Sequence, residues 1–163
     1  EKHGIDYFFL ERREFENRVA KGEFIEFAEV HGNLYGTLKR EVLTHIDGGN
    51  DVLLDLDVQG ATFVREQSDP LIRESLVDIF ILPPNDKELT RRLNLRGTEN
   101  EEQLDLRLRN ARKEMEHWLE YRYTLVSRDK EADFAAFSAI MAGERCRSSR
   151  LRNVPGDTTV TRV

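Results

Sequence analysis

The chain has 163 residues, a length that suits one domain and can bury a hydrophobic core without disulfide or metal support. Its formal net charge of -6 argues against nonspecific binding to nucleic acid or to an anionic membrane, although a local arginine cluster can still hold a phosphate. No apolar run is long enough to suggest a membrane span. One cysteine, Cys146, permits no intramolecular disulfide, which favours a reducing, cytoplasmic location.

The first fifty residues predict two strands and two helices. The aromatic run Tyr7–Leu10 indicates a strand. Helical spacing of apolar residues predicts helices over Glu14–Ala20 and Lys39–Ile46. Between them, Phe24–Val30 alternates in a way that predicts a strand with both faces partly covered.

The middle of the chain predicts buried strands and intervening helices. Val52–Val58 is a continuous apolar run with acids at its end, typical of a parallel strand covered on both faces. A helix is expected from Gly60 to Glu66 and a second apolar strand over Ser75–Leu82. The next helix is expected to be capped by Asn85 or Asp86.

The last third predicts a long helix, a strand and a final helix. Gly97-Thr98 breaks the preceding helix, and an apolar stripe then runs from Leu104 to Trp118. Tyr123–Val126 predicts a strand and Ala132–Arg145 a helix, while the polar residues 151–163 predict an unstructured tail. The alternation of strands and helices predicts an α/β domain with a mostly parallel sheet.

Two acids follow the middle strand and are the first candidate site residues. Asp55 and Asp57 are two residues apart, so both carboxylates project from one face of an extended segment. Ligands of open parallel sheets bind at the carboxyl ends of the strands, where such acids can orient hydrated magnesium or accept hydrogen bonds from a base. The alternative is that they only cap the helix at Gly60.

A basic series surrounds the predicted helix break and is the second candidate. It comprises Arg91, Arg92, Arg96 and Arg107. Phosphoryl transfer needs positive charge on the transferring group, and the planar guanidinium suits phosphate oxygens. The alternative is an ordinary solvated helix face.

The third candidate is Glu26, with the Tyr35-Gly36-Thr37 segment that follows it. Guanine offers two donors on its pairing edge, and one carboxylate can accept both, whereas adenine presents an acceptor there. A site built on such hydrogen bonds rejects the wrong partner by roughly 10⁴–10⁵. Without further context, Glu26 is simply an acid on a strand.

Taken in order, five segments resemble the guanylate kinase family. They are residues 1–10 (EKHGIDYFFL), 24–37 (FIEFAEVHGNLYGT), 55–60 (DLDVQG), 81–84 (ILPP) and 91–108 (RRLNLRGTENEEQLDLRL). The resemblance covers about residues 1–150. It implies a P-loop NTPase-like parallel sheet flanked by helices. It also implies a GMP-binding subdomain at 1–40, core at 41–90 and 111–150, a helical lid at 91–110 and a tail at 151–163.

The resemblance implies a nucleoside monophosphate kinase that uses Mg-ATP to phosphorylate GMP to GDP. GMP would be bound by Tyr7 and Tyr35, which would hydrogen-bond its phosphate. Glu26 would read guanine, with Thr37 and Asp57 helping.

The resemblance also implies which residues serve the phosphoryl transfer. Asp55 would face the nucleotide phosphates through magnesium-bound water. Arg96 and Arg107 would move in with the lid and stabilise charge in the transition state, with Arg92 as a weaker candidate.

The sequence departs from the family pattern in two places. The phosphate-binding pattern Gly-x-x-x-x-Gly-Lys-Ser/Thr occurs nowhere in the 163 residues, and the first core strand is missing with it. These residues alone are therefore expected to be inactive and poorly stable. Ser127-Arg128-Asp129 also differs from the Asn-Asp-Asp common in the family near the adenine site.

Two other functions are compatible with parts of the pattern. Guanylate kinase-like domains of scaffold proteins are catalytically inactive and bind protein partners, which would suit the absent loop. A P-loop kinase acting on another nucleotide is the third reading, and Glu26 distinguishes it from a GMP kinase.

Overall fold

The structure is a computed structural model that describes residues 2–4, 7–30, 32–67, 69–95 and 101–150. Predictions for Arg96, for the Gly97-Thr98 break and for the tail 151–163 lie outside these residues. The chain forms two compact units that divide between Leu76 and Val77. The finer division into GMP-binding subdomain, core and lid stays a prediction.

The first unit contains a β-hairpin and four helices. Its elements are α1 (Arg12–Ala20), β1 (Phe24–Val30), β2 (Asn33–Leu38), α2 (Lys39–Asp47), α3 (Val58–Arg65) and α4 (Pro70–Ser75). Strands β1 and β2 pair antiparallel from Phe24↔Leu38 to Val30↔Asn33, with an irregularity between Phe24 and Glu26. The predictions of β1 and of the helices α1, α2 and α3 are confirmed to within two residues at every boundary.

Two apolar clusters hold the first unit together, one on each side of β1. Ile25 is 1% exposed and packs with Val42, Val64 and Ile72. The neighbouring Phe24 belongs to the second cluster and stacks on Phe15 with ring centroids 4.4 Å apart. Because successive side chains of a strand point to opposite faces, β1 is covered on both sides at this end, as its pattern predicts.

Two of the predicted strands are wrong. Tyr7 makes only an isolated bridge with His3, and the residues after it are irregular. Residues 51–57 carry no strand assignment, and no described strand pairs with them. Strand propensity reflects packing and burial more than an intrinsic backbone preference, so an apolar run without a ladder partner does not become a strand.

The segment before α3 nevertheless keeps an alternating burial pattern. Val52, Leu54 and Leu56 pack against the Ile25 cluster, whereas Leu53 is 79% exposed. The prediction that both faces are covered is therefore wrong for this unit.

The second unit combines two parallel strands with three α-helices in its described part. Its elements are β3 (Ile79–Leu82), α5 (Asp86–Leu95), α6 (Glu101–Met115), a 3₁₀ helix (Glu116–Glu120), β4 (Tyr123–Val126), α7 (Lys130–Arg145) and a 3₁₀ turn (Ser148–Arg150). Strands β3 and β4 pair in parallel from Ile79↔Tyr123 to Leu82↔Val126. This confirms the parallel pairing and the exact bounds of β4.

Element boundaries in the second half of the chain follow from local caps. Asn85 Oδ1 accepts the Glu88 amide at 2.9 Å, which confirms the predicted cap of α5. The predicted strand from Ser75 is wrong in its first part, because Ser75 ends α4. That short helix starts at Pro70 after its cap Asp69, whose carboxylate accepts the Leu71 amide at 2.9 Å. The long helix stops at Met115, three residues before the predicted end of its stripe at Trp118.

A buried acid anchors the C-terminal end of α7. Glu144 is 1% exposed, and the Tyr123 hydroxyl donates to its Oε1 at 2.7 Å. Guanidinium nitrogens of Arg122, Arg147 and Arg150 lie 3.2–3.4 Å from its Oε2. Burial alone would raise the pKa of Glu144, but the hydrogen bonds from Tyr123 and Arg147 and the nearby charges outweigh it and lower that pKa.

In the described part of the chain, no helix is both long and apolar enough to cross a membrane.

Candidate functional site

The centre of the candidate site is a hydrogen-bonded pair on the β1–β2 hairpin. Glu26 on β1 lies opposite Thr37 on β2, and the Thr37 hydroxyl donates to Glu26 Oε1 at 2.6 Å. Both side chains are half-buried. Directly opposed strand residues have Cβ atoms close enough for such a bond, so the strand register fixes one oxygen of the carboxylate. The sequence placed both residues in one segment but did not reveal this bond.

Gly36 lets the two strands approach at this position. A Cβ atom there would lie 2.8 Å from Phe24 Cδ1, 2.9 Å from the Glu26 carbonyl oxygen and 3.0 Å from Phe27 Cβ. Any side chain at residue 36 would therefore push β2 away from β1. Gly36 keeps its neighbours Tyr35 and Thr37 in register with Glu26.

Two tyrosines predicted to bind phosphate lie next to each other. The rings of Tyr7 and Tyr35 have centroids 6.2 Å apart and meet at 67°. Each side chain is about half exposed, at 49% and 46%. The turn that carries Tyr7 is closed by a hydrogen bond of 2.8 Å from the Gly4 amide to the Tyr7 carbonyl, with Gly4 at φ 77°.

The two strand-end acids lie on the exposed side of the segment before α3. Asp55 and Asp57 are both exposed, as their spacing predicts. Asp57 also caps α3, because its Oδ1 accepts the Gly60 amide at 2.8 Å. The alternative that the acid caps the helix at Gly60 is thus confirmed for Asp57. The second carboxylate oxygen of Asp57 lies outside this cap.

Contacts between α3 and β1 connect the acids to the hairpin. The rings of Phe63 and Phe27 lie 5.5 Å apart, and Gln67 Nε2 donates to the Ile25 carbonyl at 2.7 Å. The C-terminal end of the helix that Asp57 caps therefore packs on the strand that carries Glu26. The first unit thus pairs Glu26 with Thr37 and Tyr7 with Tyr35, and α3 joins the segment that carries Asp55 and Asp57 to the same hairpin.

The candidate arginines belong to the second unit. Arg107 is exposed on α6, and Arg91 is exposed on α5. Arg92 is held by two acceptors, Glu88 Oε1 at 2.7 Å and the Ser127 hydroxyl at 2.9 Å. Arg96 lies outside the described residues.

The Arg92 contact extends to an acid that the sequence did not single out. Ser127 is 3% exposed and donates to Asp133 Oδ2 at 2.6 Å, and the Arg128 amide donates to Asp133 Oδ1 at 2.7 Å. The bond from Ser127 lowers the pKa of Asp133, and the Arg128 amide adds to the effect. Because Arg92 and Ser127 are 35 residues apart, local spacing carries no signal of this chain of contacts.

Comparison with known proteins shows which family the chain resembles. The family model described as guanylate kinase matches residues 1–143. A guanylate kinase of Vibrio vulnificus strain YJ016 is 41% identical over 150 residues, which is 92% of this chain and 70% of the relative. One from Chelativorans sp. strain BNC1 is 42% identical over 150 residues, with 92% and 67% covered. The chain belongs to the guanylate kinase family.

A solved structure supports the same assignment at the level of the fold. The crystal structure of guanylate kinase from Anaplasma phagocytophilum matches with a TM-score of 0.70 at 37% identity, covering 92% of this chain and 71% of that chain. The predicted α/β fold of the P-loop NTPase type is thereby confirmed. As a member of the guanylate kinase family, the chain is that of a nucleoside monophosphate kinase.

Proposed function

We propose that the protein phosphorylates GMP to GDP with ATP, and that Glu26 selects the guanine base. The observation that carries this proposal is the bond of 2.6 Å from Thr37 to Glu26 Oε1. Each carboxylate oxygen can accept more than one hydrogen bond, so a carboxylate fixed by one hydroxyl still has room for the two donors of guanine. Adenine would present an acceptor to the same oxygens and lose both bonds.

The phosphate of GMP is assigned to the two adjacent tyrosines. Hydroxyl groups on Tyr7 and Tyr35 can each donate one hydrogen bond to a phosphate oxygen. A bond to a charged acceptor contributes about 1.5–3 kcal/mol. The contact between their rings supports a shared role, because it holds the two side chains side by side.

Magnesium and the second nucleotide are assigned to the exposed Asp55. Mg²⁺ prefers carboxylate oxygens and keeps several of its waters, so one or two acids suffice to orient it. Asp55 offers this donor chemistry, whereas the oxygen of Asp57 outside the helix cap is assigned to GMP, where it would help Glu26. Bound magnesium would neutralise charge on the ATP phosphates.

Positive charge for the transferring group is assigned to Arg96 and Arg107. Catalysis of phosphoryl transfer is largely positioning and electrostatic stabilisation, and one arginine can be worth about 10³–10⁵ in rate. Arg92 is assigned a weaker part, because Glu88 and Ser127 already engage its guanidinium in this structure.

The guanine assignment is tested by measuring binding of GMP, AMP, guanosine and adenosine to the chain by calorimetry. We expect GMP to bind at least about 100-fold more tightly than AMP, since AMP would leave the Glu26 carboxylate facing an acceptor. Guanosine should bind more weakly than GMP but more tightly than adenosine. Equal affinity for GMP and AMP would reject the assignment.

The reaction is tested separately by following GDP formation from GMP and Mg-ATP. The pattern Gly-x-x-x-x-Gly-Lys-Ser/Thr is absent from residues 1–163, so we expect no turnover from this polypeptide by itself. A longer product of the same gene that carries such a loop should form GDP. A longer product with the loop and without activity would contradict the proposed reaction.

A further inference from the structure

We propose that His3 is a positioning residue for GMP, because its imidazole holds the turn that presents Tyr7. The inference rests on the proposed GMP site, but it concerns a residue to which no role has been given so far. His3 Nδ1 accepts the backbone amide of Phe9 at 3.1 Å. It therefore ties together two residues on either side of Tyr7.

Further backbone contacts near His3 involve Tyr7 itself. The Gly4 amide donates to the Tyr7 carbonyl at 2.8 Å, and His3 and Tyr7 form an isolated parallel bridge. Residues 2–4 and 7–10, the described part of this stretch, contain no helix and no strand beyond the isolated bridge. Removing the imidazole would leave the Phe9 amide without this acceptor. Phe9, two residues after Tyr7, would then be held less firmly.

Ring contacts explain why a histidine performs this role well. The His3 ring lies 6.1 Å from the Phe8 ring at 86° and 6.2 Å from the Phe9 ring. Tyr7 in turn lies 6.1 Å from Phe9 and 6.2 Å from Tyr35. Edge-to-face and tilted aromatic pairs of this kind are each favourable beyond their buried area. A continuous series of ring contacts therefore leads from His3 through Phe9 to Tyr7 and Tyr35, the two tyrosines assigned to the GMP phosphate.

The chemistry of the acceptor makes the inference specific to one ring nitrogen. Nδ1 accepts a hydrogen bond only when it carries no proton, so the proton of the neutral ring is on Nε2. Asparagine places its Oδ1 the same number of bonds from Cα as Nδ1. Glutamine places its Oε1 one bond further out, at the level of Nε2. The pair His3→Asn and His3→Gln therefore separates a bond made by Nδ1 from general polarity.

The first measurement is the hydrogen exchange of the Phe9 amide by NMR in the chain and in the variants His3→Ala, His3→Asn and His3→Gln. We expect protection in the natural chain and in His3→Asn, and loss of protection in His3→Ala and His3→Gln. Loss of protection in His3→Asn together with retention in His3→Gln would overturn the role of Nδ1. An unchanged Phe9 amide in His3→Ala would overturn it as well.

The second measurement is the affinity for GMP and for guanosine, which lacks the phosphate. His3→Ala should weaken GMP by about 5- to 10-fold, less than the loss of a whole bond to a charged group, and should leave guanosine within twofold. His3→Asn should restore GMP affinity to within about twofold. In a Tyr7→Phe background, His3→Ala should cost nothing more, because coupled residues are not additive. An equal loss for GMP and guanosine, or full additivity with Tyr7→Phe, would reject positioning through Tyr7.

Failure of this inference differs from failure of the proposed function. If the natural chain bound neither GMP nor guanosine, the proposed site would fall, whereas the Phe9 amide would still decide whether His3 holds the turn. If GMP bound well and His3→Ala changed nothing, the GMP site would stand and the role of His3 would be rejected.

Discussion

Replacing Glu26 with Gln is the sharpest test of base selection, because it changes one oxygen into an amide nitrogen and keeps the shape of the side chain. In the structure, Thr37 donates to Glu26 Oε1 at 2.6 Å. The amide oxygen of Gln is the atom that can continue to accept from Thr37. The amide nitrogen of Gln would then face the two N–H donors of guanine. Because that nitrogen is itself a donor, it could accept neither hydrogen bond.

The expected loss follows from the bonds at stake. Two hydrogen bonds to a charged acceptor contribute about 1.5 kcal/mol each at the low end of their range, or about 3 kcal/mol together. That corresponds to roughly a 150-fold weaker affinity for GMP. Calorimetric titration of GMP into Glu26→Gln measures the loss directly.

Glu29→Gln provides a matched control on the same strand. Glu29 is exposed on β1 and pairs with Arg12 at 3.3 Å, so its substitution makes the same chemical change away from Thr37. A surface ion pair contributes at most about 1 kcal/mol, so GMP affinity should stay within about twofold. A folded Glu26→Gln variant that bound GMP within threefold of the natural chain would refute the guanine assignment.

Three further predictions concern stability and the division of roles. Gly36→Ala should lower the free energy of unfolding in urea by about 1–3 kcal/mol, because the new Cβ would lie within 3.0 Å of three atoms. The control is Gly143→Ala on α7, which should be neutral or slightly stabilising because a Cβ there meets nothing within 4 Å. Asp57→Asn should keep the α3 cap and the unfolding midpoint while weakening GMP, whereas Asp57→Ala should also cost about 1 kcal/mol of stability. An unchanged GMP affinity in Asp57→Asn would contradict a separate ligand role. Glu144→Gln should destabilise the second unit by about 1–3 kcal/mol, since it leaves Arg150, whose side chain is 12% exposed, without its carboxylate partner, whereas water can solvate the more exposed Arg122 and Arg147. Because the folded-state pKa of Glu144 is depressed below its ordinary 4.5, its stabilisation is complete above that pH and disappears as pH falls through the folded value. Acid titration followed by circular dichroism should therefore show a shallower loss of stability in Glu144→Gln, and an unchanged acid transition would show that the charge of Glu144 does not matter.

Local patterns in the sequence determined most of the regular elements. Apolar spacing predicted α1, α2, α5 and α7, and the short apolar run Tyr123–Val126 predicted β4 exactly. The cap at Asn85 was predictable because its partner, the Glu88 amide, is three residues away. Such signals act over one or two turns of chain, which is the range that sequence spacing describes.

The tertiary structure alone decided what depends on partners distant in the chain. Whether Tyr7–Leu10 and Val52–Val58 become strands depends on a neighbouring strand, and composition contains no information about that neighbour. The bond from Thr37 to Glu26 depends on the register of the hairpin, the bond from Arg92 to Ser127 on how α5 packs near the end of β4, and the burial of Glu144 on the position of α7. The sequence thus identified the candidate site residues, whereas only folding determined which atoms they contact, because a hydrogen bond depends on distances of about 3 Å that spacing along the chain does not specify.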